Sequence, residues 1–274
     1  SETSFSFTAA SLAANEVVSI TAPSGYEVSL TSGSGFATSV NKSANGGGVI
    51  SSTTIFVRIP ATTVPGNYSG NIVLNAPTSA VTVNVATTSS AVATKNLTIS
   101  GVTASNKVYD GNTTGSLTGT PTLSGINGSD VVTVTGTPSA TFASSGVNNG
   151  IVVTVTGYTL GGANNSYYTV SQPTGLTANI TAKTLTVTGI SISNKVYNGN
   201  TTATITGTAA LSGVVGADVV TLGGTPSASF ASAGVANAIV ITVTGYTIGG
   251  ANTGNYTIAQ PTGLTADITA KALN

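Results

Sequence analysis

Short runs of alternating apolar and polar residues recur along the chain. Val131-Val-Thr-Val-Thr135, Ile151-Val-Val-Thr-Val-Thr156 and Leu176-Thr-Ala-Asn-Ile-Thr181 set Val, Leu or Ile on one face and Thr on the other. A period of two is the signature of a half-buried strand. The β-branched residues that dominate these runs suit a pleated surface. Earlier in the chain, Val17–Thr21, Tyr26–Leu30, Thr54–Ile59, Tyr68–Leu74 and Val81–Val85 read the same way, separated by Gly, Pro and Asn. Such spacing predicts a β-sandwich. No long 3.6-residue pattern is present, and the one helical turn the pattern allows falls near Ala143–Asn149. Asp110-Gly111 and Asn198-Gly199 read as two-residue hairpin turns of type I′. Pro138, Pro173, Pro226 and Pro261 read as breakers at exposed sheet edges.

The chain also repeats itself. The segment opening at Lys95 recurs at Lys183, and the offset of 88 residues holds without a gap to the end. Roughly two-thirds of the paired positions are identical, far beyond what biased composition produces. Tyr109 maps to Tyr197, Asp130 to Asp218, Tyr158 to Tyr246 and Tyr168 to Tyr256. The organisation expected is a domain over 1–94, repeats over 95–182 and 183–270, and in Lys271-Ala-Leu-Asn274 the start of a further repeat. On this reading the sequence is a processed chain or an excised piece. Ala86–Thr94, rich in Ser, Thr and Ala, reads as the inter-domain boundary. Thr181-Ala-Lys183 has no flexible spacer and predicts limited bending between the repeats.

Composition narrows the chemistry. The 274 residues include seven basic and seven acidic side chains, and no His, Cys, Met or Trp. Thiolate and imidazole ligands are therefore missing, as are a Cys nucleophile and a His base. Seven scattered cations cannot build a phosphate-binding patch, so nucleic acid is not an expected partner. No run of 18 apolar residues of the kind a membrane helix needs is present, and no membrane insertion is expected. So few charges predict contacts that respond weakly to salt.

The sharpest local feature is Asn106-Lys-Val-Tyr-Asp-Gly-Asn-Thr-Thr114. Tyr109, Asp110 and Gly111, with Tyr197, Asn198 and Gly199 in the second copy, read as a structural turn with the tyrosine packed behind it. Asn198 keeps the turn but cannot act as an acid, which argues against catalysis by Asp110. A cation at Asp110 and Asp130 would need more oxygen ligands than the sequence groups together. Lys107 with Asp110 or Asp130 is raw material for a Lys–Asn crosslink, against the simpler reading of a solvated lysine. Tyr158, Tyr167 and Tyr246 are candidate ligand contacts through which a glycan would stack. Tyr167 and Tyr168 are expected to alternate faces of a strand, one in the core and one exposed. Gly46-Gly-Gly48 and Gly161-Gly162 lack the Lys-Ser/Thr ending of a phosphate cradle. The Asn-x-Ser/Thr triplets at Asn96, Asn112 and Asn200 are what chance gives in so Thr-rich a chain. Thr-x-Thr rows would suit ice binding, but outward Thr is ordinary in strands. No catalytic residue, cofactor or metal is expected, and duplicated domains with few acids argue for a non-enzymatic role.

Lys-Val-Tyr-Asp-Gly-Asn-Thr-Thr, followed by Gly-Ser-Asp-Val-Val, Thr-Phe-Ala, Gly-Tyr-Thr-Leu-Gly-Gly and Leu-Thr-Ala-Asn-Ile-Thr-Ala-Lys, resembles the tandem YDG-type repeat of large bacterial surface proteins and adhesins. The resemblance covers 95–270 in both copies. Residues 1–94 resemble Ig-like surface domains of Bacteroidota, in Ile20-Thr-Ala-Pro-Ser-Gly-Tyr-Glu-Val28, Thr53–Arg58 and Gly66–Ile72. The fold class expected is all-β, with three β-sandwich-like domains in a linear array. The resemblance implies a secreted, cell-surface location, in some such proteins by type IX export, and no catalysis. The function expected is a stalk or filament segment of an adhesin, with further repeats of the same polypeptide as partners. A glycan-binding module, or a fibre or sheet built from copies of the chain, are the alternatives.

Overall fold

The computed structural model describes residues 2–273. They form strands joined by turns, with two short 3-10 turns at Asn165–Tyr167 and Thr253–Asn255. The fold is all-β. No described helix is long and apolar enough to cross a membrane. Two compact units are distinguished. One comprises Ser1–Leu97, Gly125–Thr133 and Leu160–Thr169; the other comprises Thr98–Ser124, Val134–Thr159 and Val170–Asn274.

In the first unit, the N-terminal segment is a sandwich. Strands Glu2–Ala9, Ile50–Arg58 and Glu27–Ser29 form one sheet; Ser39–Ser43, Val17–Thr21, Asn71–Ala76 and Val81–Ala86 form the other. Alternation sends Val28, Ile55 and Val57 from the first sheet and Val18, Ile20, Ile72 and Leu74 from the second into one core. The expected run Tyr68–Leu74 breaks at Ser69-Gly70 into two strands. The stretch 86–94 carries a strand of its own, Ser90–Val92, paired with Gly66–Tyr68. Buried Tyr26 fixes it further by donating its hydroxyl to the carbonyls of Tyr68 and Thr88, at 3.1 and 2.9 Å.

Glu16 is a buried acid in this sandwich. It accepts hydrogen bonds from the Ser79 hydroxyl at 2.5 Å, the Ser79 N–H at 2.9 Å and the Ala13 N–H at 3.1 Å. The Ser79 hydroxyl, aided by the N–H groups and opposed by burial, holds Glu16 below its usual value of 4.5. A carboxyl depressed in the folded state stabilises the fold above that usual value, and the contribution is lost as pH falls through the folded one. Thermal unfolding of the N-terminal segment should therefore move to lower temperature as pH is taken from 5 to about 2, and Glu16→Gln should flatten that dependence. An unchanged slope in Glu16→Gln would move the acid sensitivity to another group.

The second repeat has two sheets. One is three-stranded, in the order Ile205–Ser212, Lys183–Ile192, Tyr256–Ala259. The other is five-stranded, in the order Lys195–Val196, Thr265–Thr269, Ala236–Gly249, Thr221–Phe230, Thr202–Ala203. The first repeat has the same two strand orders, with every element at the matching position. Parallel pairs occur at Lys183–Thr186 with Tyr256–Ala259 and at Lys195–Val196 with Ile268–Thr269. Outward Thr and Ser hydroxyls pair across strands, as at Thr103–Thr118 and Ser100–Thr122, both 2.9 Å. These pairs account for the Thr rows as ordinary cross-strand contacts.

Several local expectations are corrected. Residues 143–147 form bends rather than a helical turn. Pro226 sits within strand Thr221–Phe230, at the register shift between Gly224 and Ser227 and beyond the two positions, Ala228 and Ser229, that the edge strand Thr202–Ala203 covers; a bulge tolerates the missing N–H. The Asp110-Gly111 turn joins no hairpin. Gly111 alone has positive φ, at 80°, whereas type I′ needs two such residues. The strands on either side of the turn, Lys107–Val108 and Thr114–Gly115, occupy opposite edges of the five-stranded sheet. A link that short requires the sheet to curl until its edges approach one another.

Candidate functional site

Lys107 fastens that curl. Its ammonium on one edge lies 2.7 Å from Asp110 Oδ1, 2.7 Å from the Asn112 carbonyl, 3.0 Å from Asn112 Oδ1 and 2.9 Å from the Thr114 carbonyl on the other edge. It also sits 5.5 Å from the centroid of the buried Phe142 ring. Lys195 repeats the arrangement on Asn200 and Thr202, over Phe230 at 5.2 Å. The motif is thus a clamp: Lys supplies the donor, Asn and Thr the acceptors, Gly the positive φ. Lys107 is not the solvated lysine of the sequence reading, because an ammonium surrounded by four oxygens is committed to the loop.

Asp110 is the dispensable member. Burial would raise its carboxyl, but the Lys107 ammonium and the Asn112 N–H outweigh that and hold it below the usual value. Asn198 stands in its place in the second copy, and the clamp there is intact. Asp110→Asn should change stability by less than about 1 kcal/mol, the usual range for an exposed ion pair. Chemical denaturation checks this, and a loss above about 2 kcal/mol would make the ion pair the principal tie in the turn.

The tyrosine of the turn reaches into the next repeat. Within the second unit, the Tyr109 hydroxyl donates to Asp218 Oδ2 at 2.8 Å, and the Tyr256 hydroxyl donates to the same oxygen at 2.6 Å. The two rings meet edge to face, 5.4 Å between centroids and 79° between planes. Tyr256 also accepts the Val215 N–H at 2.9 Å. Beside this triad the Val147 N–H donates to Asn255 Oδ1 at 3.0 Å. One apolar cluster runs through the joint: Tyr109, Phe142, Ile151 and Ile180 from the first repeat, Leu185 and Tyr256 from the second. The two sheets of each repeat stay separate, but this part of the core is shared.

Burial pushes Tyr109 up to about 12, with the Asp218 carboxylate adding to it, and the same two causes raise Tyr256. Both phenols therefore stay protonated at neutral pH. Two phenols closing on one carboxylate form a hydrogen-bonded lock.

The two repeats supply an internal comparison. Tyr109 is 5% exposed, whereas its counterpart Tyr197 is 43% exposed. Val147 is packed against the shared cluster, whereas its counterpart Val235 is 54% exposed. The Asp–Tyr part of the receiving half, in contrast, is assembled at both positions, although Tyr167 stands where the second repeat has Asn255. Tyr168 donates to Asp130 Oδ2 at 2.5 Å and accepts the Asn127 N–H at 3.0 Å, mirroring Tyr256, Asp218 and Val215. Asp130 and Tyr168, with Val64, Pro65, Val92 and Lys95, border a cavity of about 480 Å³ in the first unit.

The candidate ligand tyrosines fare differently. Tyr158 and Tyr246 are buried and cannot stack on a sugar, which corrects the sequence reading. Strict alternation from Ile151, Val153 and Val155 would turn residue 157 inward and Tyr158 outward. Gly157 at φ 94° inserts a bulge that shifts the phase by one, and Gly245 at φ 92° does the same for Tyr246. Gln172 then bonds the Tyr158 backbone on both sides, at 3.0 and 2.8 Å. Tyr167 ends a 3-10 turn rather than alternating in a strand; it is half-buried and borders the cavity, and the adjacent Tyr168 is in the core. Of the acids weighed for a cation, Asp110 is bonded to Lys107 and Asp130 to Tyr168. No cluster of three or more acids occurs among the described residues.

Asp218 and Asp130 escaped sequence reasoning as partners of tyrosines. A signal was present: an Asp 38 residues before a Tyr is kept in both copies, while Asp110 is exchanged. The YDG domain model matches twice, over residues 93–175 and 181–263, together more than half of the sequence. The chain belongs to the YDG domain family. Its two YDG repeats are the two copies between which the Tyr109 joint forms. No curated protein and no solved structure matches the chain.

Proposed function

We propose that this chain is a non-enzymatic stalk segment of a large secreted bacterial surface adhesin, its YDG repeats preceded by an Ig-like domain of the Bacteroidota type. The observation that carries the reading is the Tyr109–Asp218–Tyr256 joint. Consecutive repeats share buried side chains across a one-residue link, Ala182, between strands ending at Thr181 and beginning at Lys183. Such a joint resists bending and transmits pulling force from repeat to repeat, which is what a stalk needs. Its partners are further repeats of the same polypeptide. A glycan-binding role would rest on Tyr167 alone.

Antibodies raised against the purified chain should label intact cells of the producing organism, and brief protease treatment of the cells should remove the signal. Labelling only after lysis would overturn the surface location.

A further inference from the structure

We infer that the exposed end of the second repeat, formed by Tyr197, Gly199 and Val235, is a plug for the Asp–Tyr socket of another YDG repeat joined after Ala270. This deepens the stalk reading and rests on it only for the idea of serial units; it does not depend on cellular location. The same surface on the first repeat, Tyr109, Gly111 and Val147, is already covered in the structure by the second repeat's socket. The uncovered copy differs from the covered one by exposure, not by composition.

Three observations place the partner. The plug is built in advance. Tyr197 is held by its own N–H to the Thr269 carbonyl at 2.8 Å, as Tyr109 is held to Thr181 at 2.8 Å, and the Lys195 clamp shapes the loop beneath it. The launch point also matches. In the first repeat the strand bonded to the plug ends at Thr181 and the next repeat starts at Lys183; in the second it ends at Thr269, so a repeat starting at Lys271 would leave from the same place. Finally, the plug asks for particular chemistry: an acceptor for a buried phenol and an acceptor for the residue-235 N–H. Asp218 and Asn255 are those acceptors in the joint already formed. Gly111 shows how close the approach is, since a Cβ there would stand 3.0 Å from Val215 Cγ1.

The test extends the chain with a copy of residues 183–270 joined after Ala270, and follows nitration of individual tyrosines by peptide mass spectrometry. In the 274-residue chain Tyr197 should react at least about tenfold faster than Tyr109, given their exposures. In the extended chain Tyr197 should slow to the rate of Tyr109. Val235→Asp, a substitution at an exposed position, should restore fast reaction in the extended chain by setting a charge beside the socket carboxylate. Continued fast nitration of Tyr197 in the extended chain would overturn the inference. So would protection of Tyr197 in the unextended chain at raised concentration, with a dimer in sedimentation, because the occupant would then be a second copy. Neither result bears on surface labelling of cells, so the two readings fail separately.

Discussion

Tyr109→Ala should cost about 3 kcal/mol, the lower end of the range for truncating a buried aromatic residue. Tyr197→Ala, at the equivalent position, should cost less than about 1 kcal/mol, because the residue is 43% exposed. The difference isolates the joint, since both tyrosines follow the same Lys-Val strand and precede the same turn. The loss should also change cooperativity. With a shared core, unfolding of one repeat exposes Leu185 or Phe142 of the other, so the repeats should melt together in the wild type and separately in Tyr109→Ala. Segment-resolved hydrogen exchange against denaturant distinguishes the two patterns. Equal costs for the two tyrosines would remove the joint as a source of stability.

Titration supplies a second readout. A phenol pushed up to about 12 in the fold, against about 10 when unfolded, favours folding in its protonated form. Its contribution is complete below the unfolded value and disappears as pH rises through the folded one. Coupling between the repeats should accordingly hold to about pH 10 and fade towards 12, and Tyr109→Phe should shrink that alkaline step to the part that Tyr256 contributes. Tyr256 remains on Asp218 in that variant, so the socket itself stays built.

Lys195→Met should be the other large loss, about 2–4 kcal/mol. Methionine matches the lysine stem in length but leaves the Asn200 and Thr202 carbonyls without their donor. The two edges of the curled sheet then lose the tie that spans them, and protection from exchange should fall first at Lys195–Val196 and Thr202–Ala203. Lys271→Met, at an exposed site, should stay within about 0.5 kcal/mol and serves as the control. A Lys195→Met protein as stable as that control would show that curvature is set by the core around Phe230 alone.

The alternation of Val and Thr revealed the strands, and the gap-free offset revealed the repeats, because both are written in one dimension. What alternation could not reveal was its own interruption. Gly157 changes the phase of a strand while looking like any other glycine of the chain, and it turns Tyr158 from a candidate sugar platform into core. The Lys-Val-Tyr-Asp-Gly turn stood out, yet its composition suggested a hairpin; only the strand order places its flanking strands on opposite edges of one sheet. The joint was hidden for another reason. Tyr109 and Asp218 are 109 positions apart, and the repeat comparison pairs each residue with its copy rather than with its neighbour.

In the joint between the two YDG repeats of this chain, a plug from one unit meets a socket on the next, and the two halves are complementary rather than self-matching. On the plug-and-socket reading, adding one whole unit with the socket of the second repeat would leave each junction with a matching mate. Genetic exchange between tandem copies that share roughly two-thirds of their residues would lengthen or shorten such an array in a single event, with no fresh surface to evolve. For a stalk as proposed above, reach would then be a heritable quantity that varies in steps of one unit, at no cost to the chemistry that holds neighbours together.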